Sequence, residues 1–79
     1  MKATFKQVQD AAKRFLNKAD ELNELVSAYI DGSHDPKAEK AYLEVRRLDA
    51  DFIRLINSYY DEGWKPGLNY ELAESVIYE

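Results

Sequence analysis

An all-α fold, an antiparallel two-helix hairpin with a short third C-terminal helix, is predicted by two features of this 79-residue sequence. All three Gly and both Pro fall within residues 31–36 and 63–67, so the residues that break helices cut the chain into three pieces. In the first two pieces apolar residues recur three and four positions apart, the spacing of a single helical face.

The first stripe is Phe5, Val8, Ala12, Phe15, Ala19, Leu22, Val26 and Tyr29. Thr4 and Gln7 have the spacing of a capping box, and Gly32 stands where a left-handed C-terminal residue is wanted, which predicts a helix over about 5–30. Asp35 then reads as an N-cap and Pro36 as the first residue of a second helix, where its missing N–H costs nothing. The second stripe is Ala38, Ala41, Val45, Leu48, Phe52, Leu55 and Tyr59, stopped by Gly63, for a helix over about 36–61. A connection of roughly four residues makes the two helices antiparallel, with Phe5 near Tyr59 and Val26 near Ala41. A short third helix over about 70–77 follows, capped by Asn69, with Leu72, Val76 and Ile77 packing across the open end. One helical domain thus spans 1–79.

The net charge of −4 is unevenly spread. Residues 1–18 hold five Lys or Arg against Asp10 alone, while residues 19–35 hold five acids and no base. In a hairpin, Lys2 and Lys6 approach Asp61 and Glu62, and Lys18 falls near Asp49, so complementary pairing accounts for the asymmetry more simply than a ligand site. Asp10–Arg14, Lys40–Glu44 and Arg47–Asp51 have the spacing of helix-surface ion pairs. An acidic chain is a poor general binder of DNA or RNA, because that affinity comes mainly from neutralised phosphates.

Cys is absent and His34 is the only histidine, which rules out disulfides and disfavours a His/Cys metal site; no cofactor is expected. No stretch approaches the roughly 18 apolar residues of a membrane span, and the first residues lack a signal-peptide run, so a cytoplasmic chain is expected. Nor is an enzyme: there is no Cys–His pair and no phosphate-cradling glycine loop, His34 lies in the interhelix turn, and Asp49 and Asp51 diverge on their helix.

Two features point to binding. Leu16, Leu25, Ile30, Tyr42 and Ile56 widen the stripes beyond what one facing helix covers, and so small a core supplies only about 3–5 kcal/mol alone. A homo-oligomer, a dimer or higher formed as a helical bundle, is the expected remedy, with a hetero-partner helix as the alternative. The second is the crowding of Tyr59, Tyr60, Trp64, Tyr70 and Tyr78 into the last 21 residues. Tyr59 lies on the stripe; the others either cap a thin core or, beside Lys65, form the aromatic and basic hot spots typical of binding surfaces. Tyr60, Trp64, Lys65 and Tyr70 are therefore the candidate partner-binding residues. The expected function is that of a non-enzymatic protein that docks on another protein, as small phage or mobile-element inhibitors and adaptors do; a structural subunit of a helical assembly is a further alternative.

The Asp35-Pro36 loop followed by Tyr42-Leu43-Glu44-Val45-Arg46-Arg47-Leu48 and Phe52-Ile53-Arg54-Leu55-Ile56 resembles the helical-hairpin phage proteins that sequester cyclic oligonucleotide immune signals. The likeness covers roughly residues 15–60. It departs from that family at the N-terminal tyrosine and lysine, for which Phe5 and Lys18 are imperfect substitutes. The resemblance implies an oligomeric sponge that holds a cyclic nucleotide between aromatic and basic side chains, here Lys13, Arg14, Lys18, Arg46 and Arg47.

Overall fold

The structure, a computed structural model, describes residues 2–27 and 36–78. Among these the chain is all-helical: α1 runs Phe5–Ser27, α2 Pro36–Tyr60 and α3 Tyr70–Ile77. The terminus expected at Gly32, the cap expected at Asp35 and the neighbourhood expected for the Val26 side chain lie outside what is described.

The capping box forms as its spacing predicts. Gln7 donates its backbone N–H to Thr4 Oγ1 at 3.2 Å, and Thr4 returns its own N–H to Gln7 Oε1 at 2.9 Å, so two otherwise orphaned donors are satisfied reciprocally. Thr4→Ala is expected to cost about 1 kcal/mol in urea or thermal unfolding, and a change within error would show the box to be idle.

Along α1 and α2 the contacts pair in opposite order. Phe5 meets Tyr59 with ring centroids 5.5 Å apart, Phe15 lies 6.2 Å from Phe52, and Lys18 Nζ reaches Glu44 at 3.8 Å. The core joins Val8, Ala12 and Phe15 of α1 to Val45, Phe52, Ile53 and Ile56 of α2 and to Ala73 and Val76 of α3. α3 packs on α1, where Gln9 donates its side-chain amide to the Val76 carbonyl and Phe15 stacks on Tyr70 at 5.1 Å.

Several expected charge contacts are replaced. Lys18 pairs with Glu21 at 3.1 Å and with Glu44, not with Asp49, which is buried and turned to a loop. Arg47 takes Glu44 and Arg54 takes Asp51, each three residues apart, in place of the expected four-residue pairs. Among the described residues no ion pair joins Lys2 or Lys6 to Asp61 or Glu62; the N-terminus is held instead by the Ala3 N–H on Ser58 Oγ at 3.0 Å.

The surplus apolar stripe is also redistributed. Ile56 is fully buried and Leu16 packs against the core, in a cluster to which α3 adds Ala73 and Val76. Tyr42 stays exposed, with Arg46 6.0 Å above its ring, and Ile30 lies outside the described residues.

Candidate functional site

The segment 61–69 between α2 and α3 is a built structure, and it begins where α2 is made to stop. The left-handed residue is Asp61, at φ 57°, two positions before the Gly63 expected to end the helix. Glu62 then donates its N–H to the Asn57 carbonyl at 3.2 Å, the six-residue bond that closes a helix around a left-handed residue. Glycine adopts that conformation without a Cβ penalty, so Asp61→Gly is expected to raise stability by about 0.5–1 kcal/mol, read as a higher thermal midpoint. A fall would contradict this assignment of the turn.

Two polar side chains of α2 then hold the returning chain. Asn57 acts as an amide clamp: its Oδ1 accepts the Trp64 N–H at 2.9 Å while its Nδ2 donates to the Trp64 carbonyl at 2.8 Å. Two turns earlier, Asp49 is only 2% exposed and accepts three successive backbone N–H groups, those of Gly67 at 2.9 Å, Leu68 at 3.1 Å and Asn69 at 3.1 Å. Leu68 sits between them at φ 59°. Consecutive amides about a left-handed residue form a concavity suited to an anion, and the Asp49 carboxylate fills it. A buried charge must be paired or fully hydrogen-bonded, and charge-assisted bonds to N–H are the strong kind, so Asp49 fixes the loop as firmly as the loop solvates Asp49. Asn69 does not cap α3 with its side chain as expected; its Nδ2 donates to the Lys65 carbonyl at 3.1 Å and adds to the same turn.

On this platform stand the aromatic residues singled out by sequence. Trp64 is 48% exposed although its backbone is clamped on both sides, and Lys65 beside it is exposed. Tyr70 stacks one face on Phe15 and leaves 37% of its surface open, and Tyr60 meets Tyr59 edge-on at 4.7 Å. Trp64 and Tyr70 line a common groove with Leu68, Glu71 and Leu72; Tyr60 and Lys65 stand outside it. Together these residues leave ring faces and a cation open on a hydrogen-bonded base.

The five cations of the nucleotide alternative are not brought together. Lys18 shares a groove with Lys40, Glu21 and Glu44; Lys13 shares another with Asp20, Glu74 and Tyr78; Arg46 and Arg47 line a third with Leu43, Ala50 and Leu68. Arg14 is exposed on α1 and lines none of these. Among the described residues no group of His, Asp or Glu converges to hold a metal ion, and no helix is long and apolar enough to cross a membrane.

No family model matches this chain. Searches of curated proteins and of solved structures likewise return no match. The site is therefore read from its own geometry. Sequence reasoning singled out the aromatic residues as candidates and missed the side chains that hold their segment, Asp49 and Asn57. The available signal was a carboxylate set among Val45, Leu48, Phe52 and Ile53, facing a Pro-Gly turn that lacked an anchor of its own.

Proposed function

We propose that this chain is a non-enzymatic protein-docking module of the inhibitor or adaptor kind, working as an antiparallel helical hairpin that presents Trp64, with Tyr60, Lys65 and Tyr70, to a protein partner. The observation that carries this reading is the half-exposed Trp64 on a backbone clamped by Asn57 and anchored next door by Asp49. A large apolar side chain left open to water on a rigid support loses little further entropy on binding, which is what favours aromatic anchors at interfaces. The nucleotide-sequestering alternative lacks such support within one chain, since its cations lie in separate grooves and two of those grooves carry exposed acids. Bundle formation driven by Leu16 and Ile56 loses its motive, because both pack within the chain.

The test is affinity capture with wild-type and Trp64→Ala chains of equal helical content. Hot-spot truncation costs about 2 kcal/mol or more, so capture of the specific partner should weaken roughly 30-fold in Trp64→Ala. Capture that is unchanged by Trp64→Ala and by Tyr60→Ala would remove this surface from the account.

A further inference from the structure

We infer that two copies of this chain associate about a two-fold axis through the surface formed by the outward face of α2 and the Trp64 groove, an inference that rests on the docking reading of that groove. The two halves of this surface are contiguous, since Leu68 lines both. They differ in character. The α2 half carries Leu43, 59% exposed, and Tyr42, with exposed Arg46 and Arg47 beside Ala50, Arg47 in an ion pair with Glu44 at 3.2 Å. Its carboxylate, Asp49, is only 2% exposed and is engaged by the loop amides. Among the described residues Arg46 is in no ion pair, and its guanidinium stands 6.0 Å over the Tyr42 ring.

The other half is aromatic and acidic. The exposed charges of residues 61–78 are Asp61, Glu62, Glu71 and Glu74 against Lys65; Glu71 lines the groove with Trp64 and Tyr70, and none of these acids is in an ion pair among the described residues.

A surface with a basic apolar half beside an acidic aromatic half is complementary to itself. A two-fold rotation lays the Arg46 and Leu43 half of one copy on the Trp64 and Glu71 half of the other, and the same operation makes the reverse contact, so the assembly closes at two copies. Arginine, tryptophan and tyrosine are the residues enriched where interfaces bind hardest, and a guanidinium over an indole face gains from desolvation. The occupant this chemistry selects is thus a second copy, whose α2 supplies both the cations and the apolar side chains that the groove wants. The outer face of α1 supplies cations at Lys6 and Lys13 with Asp10 between them and Asn17 beyond, and so lacks the apolar part.

Sedimentation equilibrium of the full chain over a concentration series at physiological salt tests this. The wild type should be dimeric at high concentration, and the emission of Trp64, the sole tryptophan, should shift to the blue as the dimer forms. Arg46→Glu with Arg47→Glu, and separately Glu62→Arg with Glu71→Arg, should each weaken self-association about 100-fold, because both now oppose like charges. An equimolar mixture of the two variants should recover a heterodimer, since every contact is then of opposite sign. Lys13→Glu with Arg14→Glu should leave the wild-type dimer intact. A wild type that stays monomeric, or a dimer that neither reversal weakens, overturns the inference. If a monomeric wild type still captures a different protein in a Trp64-dependent way, the two-fold association fails while the docking reading stands; if Trp64→Ala alters neither capture nor self-association, both fail.

Discussion

Asp49→Ala is expected to destabilise the protein by about 3–4 kcal/mol, a large share of the total for a chain of this length. Three amides, those of Gly67, Leu68 and Asn69, lose a charged acceptor at once. Bonds to a charged partner contribute about 1.5–3 kcal/mol each, and the sum is discounted because amides that are only partly buried can rehydrate when the loop lifts. Leu68 also loses what holds it in a left-handed conformation that costs a residue with a Cβ about 1–2 kcal/mol. The loop should therefore release before the helices do. Asp49→Asn keeps one acceptor oxygen but turns an NH2 toward amide donors, and about 2 kcal/mol is expected. Urea unfolding followed by helical circular dichroism gives the total, and Trp64 anisotropy gives the loop; a loss below about 0.5 kcal/mol, the scale of an ordinary surface substitution, would mean the three bonds are not made in solution.

Phe15→Ala should cost about 3–5 kcal/mol, the range for removing a fully buried phenylalanine. The ring is 0% exposed and is stacked with Tyr70 on one side, interplanar angle 8°, and with Phe52 on another at 17°. One side chain of α1 thereby joins α2 to α3, so its loss opens a cavity at the junction of all three helices. The expected signature is a lower urea midpoint together with greater exposure of the Tyr70 ring, while Phe15→Leu, which keeps most of the volume, should cost less. If Phe15→Ala unfolded at the wild-type midpoint, the packing described here would be wrong at its centre.

The helices were legible because their determinants are local. Apolar spacing, the Thr4–Gln7 box and Pro36 at a first helical position act within a few residues, and α2 and α3 begin at the positions expected. The aromatic surface was legible by composition, since Trp and Tyr at the end of a small chain must either fill the core or face a partner. What holds that surface was not. Asp49 to Gly67 spans eighteen positions, and Ile53, off the main stripe, is buried in the core cluster that all three helices share. A helical period cannot encode hydrogen bonds made to a distant non-helical segment. The same limit explains the charges: Lys18 was placed by register near Asp49, but a long flexible cation settles on the nearest exposed acids, Glu21 and Glu44, and leaves a buried carboxylate to backbone donors.

Amide hydrogen exchange, resolved by residue, tests most directly whether the segment between α2 and α3 is a rigid platform for Trp64. The N–H groups of Trp64, Gly67, Leu68 and Asn69, although they lie outside any helix, should exchange as slowly as amides within α2, and those of Gly67, Leu68 and Asn69 should lose that protection in Asp49→Asn. Exchange at the rate of an open loop in the wild type would contradict the account, because Trp64 would then be carried on a tether.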